Sequence, residues 1–74
     1  MAYVVKIPEQ AKEQIKKIFQ DTPKPRGKNM RYLAYIYYRF TRRTHDVDAE
    51  VDSAMMCGYC QAKICHYFKR QDWF

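Results

Sequence analysis

Lys28-Asn29-Met30-Arg31-Tyr32-Leu33-Ala34-Tyr35-Ile36-Tyr37-Tyr38-Arg39-Phe40-Thr41-Arg42-Arg43 is the stretch on which the fold turns. At about 100° per residue, Met30, Leu33, Ile36, Tyr37 and Phe40 gather on one side of a helix. Lys28, Arg31, Tyr35, Tyr38, Arg39 and Arg42 gather on the other, within an arc of roughly 100°. The spacing predicts a helix over 28–43, nearly apolar all round and therefore central. Its basic last turn suits the negative end of the helix dipole.

On the N-terminal side, Thr22-Pro23-Lys24-Pro25-Arg26-Gly27 breaks whatever precedes it, since two prolines and a glycine do not continue a helix. Before that break, Ala11, Ile15, Ile18 and Phe19 recur at helical spacing, and Pro8 sits where a first turn tolerates proline. A helix over 8–21 follows, with Glu13 four residues ahead of Lys17 in the favourable order for a pair. Residues 1–7, rich in β-formers, read as a short extended arm.

On the C-terminal side, Thr44–Asp48 is a short turn with capping residues. Asp46, Asp48, Glu50 and Asp52 then load the start of a third helix with the charge its dipole prefers. Val47, Val51, Ala54, Gly58, Ala62, Cys65 and Phe68 form one apolar face whose periodicity passes through Gly58 without a phase shift. That predicts an unbroken helix over 46–70, with a close-approach row at Ala54, Gly58 and Ala62. Residues 71–74, ending in Trp73 and Phe74, are an apolar tail that should pack back or meet a partner. The expected architecture is all-α: one domain, 1–74, a small three-helix bundle with a short extended N-terminal arm.

The chain has 74 residues, 47% apolar and 16% aromatic, which argues against disorder. It is too short for two domains, a barrel or a doubly wound fold, and its core must be thin. The net charge of +6 is unevenly placed. Lys24, Arg26, Lys28, Arg31, Arg39, Arg42 and Arg43 fall in residues 23–45 without a single acid, while the flanking thirds nearly cancel. Such a block selects phosphates, anionic lipid or an acidic protein surface. Arginine and lysine neutralise phosphates without sequence choice, and Tyr35 and Tyr38 among them offer rings for unpaired bases. The loop before the helix adds charge beside free N–H groups that favour anions. The first expectation is therefore non-specific nucleic-acid binding through Lys24, Arg26, Lys28, Arg31, Tyr35, Tyr38, Arg39, Arg42 and Arg43. A helix-turn-helix form of it fails, because the acidic start of the third helix would be repelled by phosphates.

The alternative is a protein-interaction adaptor or inhibitor, homodimeric in one form, using Met55, Met56, Tyr59, Trp73 and Phe74. Methionine and aromatic residues are enriched at interfaces.

Cys57-Gly58-Tyr59-Cys60, then Cys65, with His45 upstream, has the makings of a zinc set. The continuous helix argues against it: eight residues from Cys57 to Cys65 rise roughly 12 Å, too far for shared zinc ligands. Small half-buried free thiols are the expectation, with no cofactor. Enzyme readings fail in turn. Val47 stands where a zinc deaminase needs glutamate after His45, and Met56 stands where it needs proline before Cys57. A redox C-x-x-C calls for a βαβ pattern that is missing. No third group orients a Cys/His pair. Residues Met1–Val5 lack a basic n-region and end at Lys6, and no run reaches the roughly 20 apolar residues of a membrane span. Three cysteines, an odd count, argue for a cytoplasmic, reducing setting.

Overall fold

The computed structural model describes residues 7–74, so the arm expected over 1–7 lies outside the described residues except for Ile7. Four helices follow in order: α1 Glu9–Asp21, α2 Gly27–Ile36, α3 Val47–Met55 and α4 Gly58–Lys69, with a π-helical turn, Tyr37–Thr41, extending α2. Among the described residues there is no strand. The Cα radius of gyration, 11.8 Å, is close to the value of about 11 Å for a compact chain of this length.

α1 forms as its spacing demands, burying Ala11, Ile15 and Ile18. Pro8 stands just outside as the capping residue, its carbonyl accepting from Lys12 N–H at 3.0 Å. Glu13 pairs with Lys16, three residues on, at 3.9 Å, and not with Lys17. The break after α1 falls in the Pro/Gly loop, and α2 opens on Gly27 at φ +58°. A side chain there would meet no neighbour within 4 Å, so glycine is required by the backbone and not by space. α2 is the central element, packing on α1, α3 and α4, and it buries Met30, Leu33, Ala34 and Ile36.

The second predicted helix changes character at Tyr37. Arg42 N–H reaches the Tyr37 carbonyl at 3.0 Å, five residues back, and Thr44 N–H reaches the Tyr38 carbonyl at 2.9 Å. A π turn places more residues per turn than the 3.6 of an α-helix, so side chains beyond Ile36 rotate away from the faces assigned by an α-period. Tyr37 is thereby aimed at the other aromatic rings, edge-on to Tyr67 at 5.3 Å and Phe68 at 6.4 Å. Arg43, at φ +51°, turns the chain out of the helix.

The third predicted helix is not one helix but two. α3 starts as expected, with the Asp46 carboxylate accepting from Ala49 N–H at 3.2 Å, and stops at Met55. Met56 and Cys57 form the break, and α4 starts at Gly58. Gln61 Nε2 holds the corner by donating to the carbonyls of Ala54 (3.2 Å), which also accepts from Cys57 N–H at 3.0 Å, and Met55 (3.0 Å), at the end where α-helical bonding stops. α3 buries Val51 and Ala54, and α4 buries Ile64 and Phe68. The expected small-residue row is broken: Gly58 and Ala62 face outward, and nothing lies within 4 Å of a Cβ placed on Gly58.

The core runs through all four helices, with Phe68, Ile15, Met30, Leu33, Ile64 and Val51 its largest fully buried side chains. The C-terminal tail packs back. Trp73 lies 6.3 Å from Phe68 and beneath Lys12 Nζ, and Phe74 is edge-on to Phe19 at 5.3 Å.

Candidate nucleic-acid interface

The cations that the sequence places on one loop and one helix stripe are divided by the fold among three grooves and the segment beyond the helix. Lys24 and Arg26 face α4 across a cavity of about 420 Å³, opposite His66 and Lys69. Lys28 and Arg31 border a groove of about 280 Å³ between α2 and α3, with Tyr32, Tyr35, Asp48 and Val51. Arg39 lies on the α1–α2 side, in a groove of about 610 Å³. Arg42 and Arg43 lie past the helical segment, both exposed.

Arg31 is engaged already. Its guanidinium meets the Asp52 carboxylate on α3 at 2.8 Å. With Asp48 on the same groove, the α2–α3 side is close to neutral. The α1–α2 groove is different. It is lined by Gln10, Gln14, Asn29, Tyr32, Tyr35 and Arg39 over an apolar floor of Ala11, Ile18 and Ile36, and no carboxylate borders it. Arg39 sits 5.8 Å from the Tyr35 ring and 5.5 Å from the Phe40 ring, which orients its charge. Tyr35 is 36% exposed and borders both grooves. Burial pushes the Tyr32 hydroxyl up from its ordinary pKa, so it remains a protonated donor at neutral pH.

Tyr38 departs from the stripe. The π turn packs its ring edge-on to Tyr37 at 5.2 Å, half-buried. Burial first, and Glu50 second, raise its hydroxyl. Of the expected stacking tyrosines, Tyr35 alone is exposed. The groove residues Gln10, Gln14, Asn29 and Tyr32 carry no charge, so a reading based on charge passes over them. A polar face on α1 opposite Tyr32 is the signal that would have found them.

Of the apolar residues assigned to a partner surface, Met56, Tyr59 and Phe74 are exposed, at 87%, 74% and 43%. Met55 and Trp73 are half-buried against the core, and Phe74 is partly covered by Phe19. The cysteines also differ from expectation. Cys57 and Cys60 are joined by a disulfide, and only Cys65 is a free thiol. Cys65 contacts the Met30 sulfur at 3.8 Å, and burial raises its pKa against a smaller opposing effect of Lys69. Among the described residues no three His, Cys, Asp or Glu side chains come together as a metal would need, so His45, Cys57, Cys60 and Cys65 form no common site.

Compared with known protein families, curated proteins and solved structures, the chain matches none. No helix among the described residues is long and apolar enough to cross a membrane.

Proposed function

We propose that this chain is a small cytoplasmic, non-catalytic domain that binds single-stranded nucleic acid without sequence choice. The observation that carries the reading is the acid-free α1–α2 groove with Tyr35 and Arg39 at its edge, Arg39 being the one of the seven cations of residues 23–45 that borders it. Arg39 receives a phosphate in that groove, Lys28 on the α2–α3 side and Lys24 and Arg26 on the α4 side receive phosphates of a strand that runs across α2 from one surface to the next, and Arg42 and Arg43 extend the positive field past the helix end. A base stacks on Tyr35. Arg31 contributes weakly because Asp52 neutralises it.

Competition between single-stranded and duplex oligonucleotides tests the mode of binding. Stacking on an aromatic ring stabilises by about 1–3 kcal/mol per base and requires an unpaired base. Tyr35→Ala should therefore weaken single-strand binding roughly tenfold or more and leave duplex binding nearly unchanged. Equal losses on both substrates would exclude base stacking on Tyr35, and no loss on either would remove Tyr35 from the interface.

A second reading, a protein-interaction module, is supported by the exposure of Met56 at the α3–α4 corner and of Tyr59 in the first turn of α4. If a homodimer uses that corner, sedimentation mass should rise with concentration, and Met56→Ser with Tyr59→Ser should abolish the rise. A constant monomer mass retires the homodimeric form.

A further inference from the structure

We propose that the cavity of about 420 Å³ between α4 and the loop before α2 is a binding site for a small aromatic monocarboxylate. Its size lies in the range of about 300–1,000 Å³ typical of ligand pockets. Pro25 and Met30, both buried, together with Ala62 and Cys65 give it an apolar lining, and Gly58 adds no side chain. Lys24, Arg26, His66 and Lys69 complete it. Among the described residues no carboxylate borders the cavity, and none pairs with Lys24, Arg26 or Lys69. An apolar lining with a few convergent polar groups is the pattern of a small-molecule site, and here every charged group has the same sign. The cavity shares no residue with the α1–α2 groove that holds Tyr35 and Arg39, and its ligand needs no nucleic acid.

Lys69 is the anchor for the carboxylate. Its Nζ donates to the Pro23 carbonyl at 3.3 Å and lies 5.1 Å from the Phe19 ring centroid. These contacts hold the ammonium where α4 meets the loop, and an ammonium has further N–H groups to donate. Lys24 and Arg26, exposed on the loop, add positive charge from the other wall. Within the lining, Cys65 and Met30 place two sulfurs 3.8 Å apart. Sulfur packs favourably against aromatic rings, so this lining suits a ring better than an alkyl chain.

A nucleobase also joins a ring to an anion, but its edges carry donors and acceptors. Buried without partners, such groups cost free energy. Gln61, the one side-chain amide of the cavity, already spends its N–H groups on the Ala54 and Met55 carbonyls. The lining therefore favours an apolar ring bearing one carboxylate. Binding is non-covalent, and Cys65 serves as its reporter. With Cys57 and Cys60 bridged, Cys65 is the only free thiol, and a ring in the cavity covers it.

Naphthoate is the probe, naphthylmethanol its neutral counterpart and adenosine monophosphate the nucleotide control. Alkylation of Cys65 by iodoacetamide is followed by mass spectrometry on the full chain with its disulfide intact. Naphthoate should slow the reaction along a saturating curve with a midpoint of about 1 mM or lower. Naphthylmethanol and adenosine monophosphate should each need about tenfold more. Lys69→Gln removes the charge and keeps an N–H donor. It should weaken naphthoate about tenfold and leave naphthylmethanol unchanged. Lys24→Gln with Arg26→Gln, on the exposed loop, should weaken naphthoate severalfold with the same selectivity. Circular dichroism of each variant confirms that the helices persist. Undiminished alkylation at about 10 mM naphthoate, protection by either control equal to that by naphthoate, or a midpoint that both sets of variants leave unchanged would overturn the proposal.

Discussion

The Arg31 guanidinium and the Asp52 carboxylate meet at 2.8 Å across the α2–α3 groove. Both side chains are at least half exposed, so the pair contributes at most about 1 kcal/mol to stability. Its larger effect is on the basic face, from which it withdraws one cation. Asp52→Asn should free Arg31 for a phosphate. The expected result is tighter oligonucleotide binding and a salt dependence steeper by about 0.7 in log–log slope, as one added phosphate contact gives on a single strand. Isothermal binding curves at several salt concentrations check this, with thermal melts confirming a nearly unchanged fold.

Gln61 predicts a stability effect at the α3–α4 corner. Its side-chain amide serves two carbonyls at the end of α3, Ala54 at 3.2 Å and Met55 at 3.0 Å. Gln61→Ala leaves the Met55 carbonyl to find water, while the Ala54 carbonyl keeps its bond from Cys57 N–H at 3.0 Å. A loss of about 1–2 kcal/mol should follow, read as a lower urea midpoint at constant slope. Gln61→Glu should restore none of it, because a carboxylate has no N–H to donate.

Gly27 isolates a backbone effect from a packing effect. With φ at +58° and open space where a Cβ would stand, Gly27→Ala costs only the left-handed conformation. The expected loss is about 1–2 kcal/mol. Gly27→Asn should lose less, since asparagine visits this region more readily. Parallel denaturation curves for the two variants decide it.

Alkaline pH should destabilise the fold in two stages. The Cys65 thiol is raised above 9.0 chiefly by burial, and burial raises Tyr32 and Tyr38 above 10.0. In each case the protonated form is favoured in the folded chain. The associated stability is complete below the unfolded group's pKa and is lost as pH rises through the folded one. Melting temperature should therefore be level to about pH 9 and fall beyond it. Cys65→Ala should delay the onset of the fall and leave the later, tyrosine part in place.

Much of this architecture was legible in the residues, and the departures have local causes. Ala11, Ile15 and Ile18 on α1 and Met30, Leu33 and Ile36 on α2 are buried where helical spacing puts them. Asp46 caps α3 as its side chain suggests. The hidden features are two departures from a uniform α-period. At Tyr37 a π turn begins, with that ring packed edge-on to Tyr67 and Phe68, and it moves Tyr38 off the stripe. At Met56–Cys57 the chain breaks without proline, and the partner that makes the break tolerable, Gln61, lies on the following helix. Periodicity read through that point places Gly58 and Ala62 in the core, where the fold exposes them. It also passes over Ile64, which is fully buried. The charge block of residues 23–45 is plain in the sequence, but the pairing of Arg31 with Asp52 depends on how α3 folds back on α2.

Phosphate contact by Arg39 at the α1–α2 groove, extended by Lys24, Arg26 and Lys28, is the central claim of the proposed function. A salt titration of the binding of a fluorescent single-stranded oligonucleotide tests that most directly. Three or four contacts predict a log–log slope of about −2 to −3, which Lys28→Gln with Arg39→Gln should flatten by about 1.4. Binding that is absent at low salt, or a slope that the double variant leaves unchanged, would contradict it.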